Sequence, residues 1–330
     1  MKQHVKVGII GAGHIGSTLY NKVKANGWEI KAVLKDDGIY KDMSEKIDNL
    51  ENYQNYLSGL DIGFLAIPTF DDGKTAFGYM HFLLDQNIPV VTCEKGALSN
   101  YFPELEKWLP KIGYSATVGG GTRLLRYLEE RIGQNIEEIH AVLNGTLNYI
   151  FDEVSRGRSL GEVVEETRKL GYAEPGANDP LEIINKEATG DIPMKSSILF
   201  NLCRFTSKPI RAKDIKVQKI KEHELASLIQ EASNRRFIVS ITRKDNDKKI
   251  IGGFKHGVDD WIISAGFKHI AENPLYSQLV PSGVNNALLI CEGEYGKDGT
   301  YRLTGQGAGS GPTTASMIKD AIHLIEKQKE

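Results

Sequence analysis

The sequence lacks any apolar run near the roughly 20 residues that a bilayer-spanning helix requires, so no membrane partner is expected. It is poor in cysteine. Cys93, Cys203 and Cys291 lie far apart, which argues against a disulfide framework and fits a reducing cytoplasm. Its eight histidines are scattered with no pair at ligand spacing, so no zinc site is expected. An excess of one charge is also missing. The formal net charge of −2 gives no reason to expect nucleic acid or an acidic membrane surface as partner. There is no phosphate-binding lysine loop, no nucleophile elbow and no Cys–His pairing, which argues against a transferase or ligase. The N-terminus, MKQHVKVGII, runs almost at once into a strand and carries no cleavage signal.

What is present is an ordinary globular composition. The chain has 330 residues, 40% hydrophobic and 25% charged, enough for two domains or one large one. Val5 to Ile10 reads as a strand. Gly11-Ala-Gly13-His14-Ile15-Gly16 follows, then a helix to Ala25, a stop at Gly27 and a second strand from Glu29 to Leu34. This is the context that a dinucleotide fingerprint needs. Gly11 permits the tight turn, Gly13 lets backbone approach a pyrophosphate at the helix N-terminus, and Gly16 allows helix to pack on strand. The residue after the second strand reads the adenosine ribose. An acid there favours NAD and a base NADP, and the chain offers both, Lys35 and Asp36.

Alternation continues. Strands are expected at Asp61–Ile67, Pro89–Cys93 and Tyr114–Val118, with helices over Lys74–Asp85 and Pro103–Lys111. Ligands lie beyond the carboxyl ends of such strands. That puts Pro68 and Thr69, Lys95, and the Gly119–Gly121 turn at the cofactor. After Val118 the pattern changes to helices and alternating strands. Phe237–Thr242 and Lys249–His256 read as a pair around an Asp-Asn-Asp turn, and Ala287–Glu294 and Tyr301–Thr304 as further strands. A glycine-rich loop near Gly307 precedes an amphipathic last helix. The expected fold is α/β. A doubly wound Rossmann-type NAD(P)-binding domain spans 1–118 with 297–330. A second α+β domain, its sheet mixed or largely antiparallel, spans 119–296.

The stretch Gly171–Lys195, GYAEPGANDPLEIINKEATGDIPMK, reads as a polar loop closing on an apolar helix from about Pro193. One Glu, one Asp and one Lys there suit a small zwitterion and a proton transfer. Pro193 favours the first turn of a helix, so Asp191 also reads as an N-cap whose carboxylate is occupied by backbone N–H groups. An ammonium at Lys195, in that first turn, opposes the helix dipole, so structure alone does not favour it.

Taken together, GAGHIG at Gly11, VTCEKGAL around Lys95, ATVGGGT around Gly120, NGTLNYI at Asn144, GYAEP at Gly171, the Asp191–Lys195 pair and GAGSGPTTAS resemble homoserine dehydrogenase over nearly the whole chain. The resemblance implies reduction of L-aspartate 4-semialdehyde to L-homoserine with NADP or NAD as cofactor, a step towards threonine, methionine and isoleucine. It implies a homodimer formed through the second domain's sheet. Lys195 matches the proton donor, and Lys95 a second lysine near the nicotinamide, where two ammonium groups would lower each other's pKa. Glu174 matches the carboxylate for the substrate α-ammonium and Asp191 a second acidic contact. Gly145, Thr146 and Tyr172 match the substrate pocket, and Gly171 and Gly307 join the cofactor contacts. The length matches a short family form without a threonine-binding regulatory domain, so no threonine feedback is expected.

Four departures stand out. The loop after Glu174 is longer than the family's, and Asp179 is the sole counterpart, out of register, for an acid the family carries there. Pro193 interrupts the Asp191–Lys195 pair. Glu94 replaces an asparagine before Lys95. Ser115 replaces the glutamate that binds sodium in the family, leaving only the backbone of Val118, Gly120 and Thr122 as cation donors. Three other readings follow: a related dehydrogenase for a different amino-aldehyde or hydroxy acid, a non-catalytic NAD(P)-binding regulator, and a thiohemiacetal route through Cys93.

Overall fold

The computed structural model describes residues 4–131, 135–172, 179–243 and 251–328. Contacts divide the chain into two units, Met1–Gly121 with Ser310–Glu330, and Thr122–Gly309. The first crossing lies close to the expected one. The second lies past Gly309 and not near 297, because the strand Gly299–Gln306 pairs along its whole length with a strand of the second unit.

The first unit is built on a seven-stranded sheet. Its strands are β1 (Lys6–Ile10), β2 (Glu29–Lys35), β3 (Gly38–Tyr40), β4 (Lys46–Asp48), β5 (Ile62–Leu65), β6 (Val90–Thr92) and β7 (Ile112–Gly113). The order is β4-β3-β2-β1-β5-β6-β7. β2, β1, β5, β6 and β7 run parallel, and Val7, Ile9, Phe64 and Val91 are buried, as expected for strands covered on both faces. Successive strands lie on opposite sides of β1, so the switch point falls between β1 and β5. β3 and β4 add an antiparallel hairpin after a two-residue turn at Asp36 and Asp37. The Asp-Gly step at Asp37-Gly38 was the available signal for it. β7 ends at Gly113, and Tyr114–Val118, expected as strand, is irregular. The last helix, Ser310–Lys327, lays Met317, Ala321 and Leu324 into this unit's core at helical spacing. Asp320 is also buried on it, and its carboxylate accepts the Ser115 N–H (2.8 Å) and O–H (2.7 Å).

The second unit holds a six-stranded sheet of β8 (Ile136–Val142), β9 (Arg235–Thr242), β10 (Ile251–Val258), β11 (Trp261–His269), β12 (Asn285–Glu292) and β13 (Gly299–Gln306). Its order is β10-β11-β9-β8-β12-β13, and every described pairing is antiparallel. The expected β9–β10 pair does not form. β11 stands between them, because Asp259 and Asp260 make a tight turn that folds β11 directly back on β10. The Asp-Asn-Asp turn lies outside the described residues. Val142, Ile238, Ala287 and Leu289 pack with Leu275, Tyr276 and Leu279 in one core cluster.

The main surprise is the span expected as loop. Asp179 caps a helix at Pro180–Lys186, its carboxylate accepting the Glu182 N–H at 3.1 Å. The chain stays helical through a wide turn at Glu187–Asp191 into a second helix, Ile192–Cys203. In that turn the Ile192 N–H reaches back five residues to the Glu187 carbonyl. Pro193 cannot supply the N–H that an unbroken α-helix needs, and the backbone widens just before it. Among the described residues no helix is long and apolar enough to cross a membrane.

Candidate active site

In the first unit the glycine turn has the shape its residues suggested. Gly11 has φ +99°, and a Cβ there would lie 2.4 Å from the Ala66 carbonyl at the end of β5. A Cβ on Gly16 would lie 2.0 Å from the Gly11 carbonyl, so helix His14–Ala25 starts hard against the strand end. Gly13 differs: nothing lies within 4 Å of a Cβ built there. Gly13 and His14 are exposed, Ile15 is half-buried, and the helix has neither a side-chain cap nor an acid in its first turn. Its N-terminal N–H groups are therefore uncompensated by side chains and fit a pyrophosphate.

The two ribose candidates are placed differently. The Lys35 ammonium donates to the Met43 carbonyl at 2.7 Å and lies 3.9 Å from the centre of the Tyr40 ring. Asp36 is exposed in the turn after β2. Pro68 and Thr69 follow β5, and Lys95 follows β6, half-buried. Glu94 is buried, with its carboxylate accepting the Thr69 hydroxyl (2.5 Å) and the Gly96 and Ala97 N–H groups. It caps the short helix after Lys95 and ties that loop to Thr69. Desolvation pushes the Cys93 thiol up to about 12, which disfavours the thiolate that a thiohemiacetal route would use.

The family's cation does not fit. Ser115 is buried and both its donors serve Asp320. The Gly120 carbonyl accepts the Ser316 hydroxyl at 2.9 Å. Thr122, in the second unit, donates its hydroxyl to the Gln306 carbonyl at 3.1 Å. Among the described residues no group of His, Cys, Asp or Glu is arranged to hold a metal ion.

In the second unit the structure brings Lys195 and Asp191 together. Lys195 is buried, and its ammonium donates to the Asp191 carboxylate (2.6 Å) and the Leu143 carbonyl (2.8 Å). A lysine has three N–H donors, and the third has no partner among the described residues. Asp191 is helical, with φ −72° and ψ −43°, and makes no cap bond, so the N-cap reading is overturned. Its carboxylate also accepts Asn144 Nδ2 at 2.9 Å. Asn144 uses all its amide groups: Nδ2 donates again to Glu187 at 2.6 Å, and Oδ1 caps helix Gly145–Ser155 by accepting the Leu147 N–H. Glu187 thus stands in the cluster, whereas Asp179 is committed to its helix cap.

The remaining expected residues surround this core. A Cβ on Gly145 would lie 2.6 Å from the Val284 carbonyl, so only glycine lets the helix start there. Thr146 donates its hydroxyl to the Tyr172 carbonyl at 2.7 Å. Gly171, with φ +70°, ends helix Leu160–Lys169 in a Schellman turn: its N–H reaches Arg168 and that of Tyr172 reaches Thr167. That turn delivers the Tyr172 ring edge-on to Tyr149, with centroids 5.4 Å apart. Gly307 lies against Asn286, where a Cβ would be 2.1 Å from Oδ1. Glu174 lies outside the described residues.

Sequence reading missed Glu187 and Asn286. Glu187 had one signal, its spacing of four residues before Asp191 on what proves to be the same helical run. Asn286 had none, because only the pairing of β12 with β8 brings it to Leu143.

Comparison with known proteins bears on the same region. The profile of the family described as homoserine dehydrogenase matches residues 124–322. The homoserine dehydrogenase of Synechocystis sp. is 26% identical over 244 residues, covering 72% of this chain and 52% of that protein, so the chain spans about half of that relative. That of Methanocaldococcus jannaschii is 26% identical over 363 residues, covering 99% of this chain and 98% of that one. A solved structure of a hyperthermophilic archaeal homoserine dehydrogenase mutant in complex with NADPH superposes with TM-score 0.70 at 21% identity, covering 98% of both chains. That likeness shows a shared fold. The profile takes in more than half of the residues, including Asn144, Asp191 and Lys195, and the chain belongs to the homoserine dehydrogenase family.

Proposed function

We propose that this chain is an NAD(P)-dependent dehydrogenase interconverting L-homoserine and L-aspartate 4-semialdehyde. The first unit holds the dinucleotide and the second the substrate. The observation that carries the reading is the buried Lys195 ammonium, held between the Asp191 carboxylate and the Leu143 carbonyl with one N–H to spare among the described residues. An ammonium so placed has a fixed position and a proton to give. In reduction Lys195 gives that proton to the carbonyl oxygen of the semialdehyde. In oxidation the neutral amine takes the alcohol proton. Asp191 offsets the charge, and Asn144 fixes the carboxylate.

Gly11, Gly13, His14, Ile15 and Gly16 would hold the dinucleotide, with Lys35 or Asp36 at the ribose and Pro68, Thr69 and Lys95 nearer the nicotinamide. When bound, the nicotinamide supplies or takes up the hydride. Gly171 and Gly307 have sufficient local reasons in helix termination and packing. Asp191 and Glu187 suit a substrate ammonium, with Gly145, Thr146 and Tyr172 in the same unit, and the resemblance assigns that role to Glu174 as well. No step passes through a cation. The protein works as a homodimer in the cytoplasm, and its free cysteines fit that compartment.

A second reading rests on Glu187. An acid at that position, with Asp179 committed elsewhere, suits a related amino-aldehyde larger than the semialdehyde. Purified protein assayed with L-homoserine, with NAD and NADP in parallel, tests both. Turnover lost in Lys195→Ala with dinucleotide binding intact supports the first. Dinucleotide binding without homoserine turnover in the wild type rejects it in favour of the second. The exposed Asp36 leads to NAD as the faster cofactor, and Asp36→Ala should narrow that preference by about tenfold.

A further inference from the structure

Asn286 is fully buried at the start of β12. Its Nδ2 donates to the Leu143 carbonyl at 3.0 Å, the same oxygen that accepts Lys195. That contact fixes the amide's orientation, since the opposite one would set oxygen against oxygen. Oδ1 is then left buried without a donor among the described residues. Gly145 and Gly307 flank it: a Cβ on the first would lie 3.6 Å from Oδ1, and a Cβ on the second would overlap it. A buried unsatisfied amide oxygen costs stability. An apolar side chain would avoid that cost, so the amide needs a reason beyond packing.

The Leu143 carbonyl supplies the reason. Its two lone pairs are shared by two donors. The Asn286 hydrogen draws electron density from the oxygen that stabilises the ammonium, and carries a partial positive charge towards it. Both effects favour the neutral amine of Lys195. We propose that Asn286 is a positioning residue for proton transfer: by sharing the Leu143 carbonyl it aims the Lys195 side chain and makes its proton easier to release. This rests on the reading of Lys195 as the proton-transferring group. Among the described residues, the charged groups that bear on Lys195 are Asp191 and, through Asn144, Glu187. Two neighbouring elements also pack on helix Ile192–Cys203. In helix Leu124–Glu129, Arg126 pairs with Glu129 at 2.9 Å; in the turn Ala212–Asp214, Lys213 and Asp214 are exposed.

The test is the pH profile of homoserine oxidation for wild type, Asn286→Ala and the near-isosteric Asn286→Thr, with Lys195→Ala alongside. Loss of the amide leaves the carbonyl to the ammonium alone. The apparent pKa of the limb where the rate rises with pH should increase by about half a unit or more, with the rate recovering at alkaline pH and KM nearly unchanged. A kcat lowered equally at all pH values, with the pKa unmoved in whichever variant folds, overturns the inference and leaves Asn286 a packing residue. Unchanged kinetics in both variants overturns it too. Lys195→Ala that retains full turnover brings down the proton-transfer reading itself, an outcome separate from either.

Discussion

Two buried lysines in the second unit invite comparison. Lys195 meets a carboxylate and a carbonyl and, among the described residues, keeps one donor over. Lys268, on β11, donates to three hydroxyls: Ser240 (2.7 Å), Ser264 (2.9 Å) and Tyr276 (3.4 Å). Burial drives the Lys268 pKa down to about 7. Next to it, His140 Nδ1 lies 2.9 Å from Ser240 Oγ and Nε2 lies 2.9 Å from Glu138, an acid–base–hydroxyl row that resembles catalytic machinery. Yet it comes from sheet register, which aligns Ser264, Ser240 and His140 across β11, β9 and β8. All are buried, and Lys268 has its three donors engaged. A shifted pKa marks desolvation as readily as function. What distinguishes Lys195 is a charge partner together with a donor that no described residue uses.

The comparison breaks first on activity. Lys195→Ala should cut homoserine turnover by roughly 10²–10⁴-fold at neutral pH, while Lys268→Met leaves kcat near wild type; steady-state kinetics on both proteins decides it. A Lys268→Met loss as large as that of Lys195→Ala would reverse the two roles. The next effect is on stability against pH. The folded pKa of Lys268 lies below the unfolded one, so between about 7 and the ordinary lysine value the unfolded chain binds the extra proton. Lys268 should therefore destabilise the fold progressively as pH falls through that window, by about 1.4 kcal/mol per pH unit at most, and no further below it. Denaturant unfolding of wild type and Lys268→Met at pH 7.5 and 9.5 should show the gap changing with that sign; a constant gap contradicts it.

Smaller effects sharpen the account of Lys195. Asn144→Ala removes a helix cap and both donors to the acids. It should lower stability by about 1 kcal/mol and turnover as well, read by thermal unfolding and kcat together. Unchanged turnover would show that Asp191 needs no positioning. Glu187→Gln keeps an acceptor for Asn144 but removes its charge. The KM for homoserine should rise by about two- to fivefold with kcat nearly constant, as for a weakened ion contact; an unmoved KM would take Glu187 out of the substrate's reach.

Much of this was legible where chemistry and fold share a short stretch of chain. Gly11 and Gly16 announced a turn that only glycine fits, and the resemblance named Asp191 and Lys195 as parts of one site, which the structure joins by an ion pair. Pro193 misled. Proline signals a helix start, and the chain instead absorbed it with a wide turn inside a longer helix. Contacts distant in sequence could not be read. Ser115 reaches Asp320, and Asn286 reaches Leu143, only because strand order and the return of the last helix bring them close. β11 was missed because Ser264 and Lys268 break its apolar run, polar residues that the buried row across the sheet requires.

The wide turn at Glu187–Asp191 has a consequence for how this family can vary. Such a turn holds one residue more than an α-helical turn, and each residue advances a helix by about 100°. Deleting Gly190 would let the helix close up, but Lys195 would swing by that angle away from Leu143, while every residue type in the cluster survived. A relative with the same acids and the same lysine, lacking that single extra residue, would carry its parts out of phase. Helical phase, more than residue identity, is what this turn hands on.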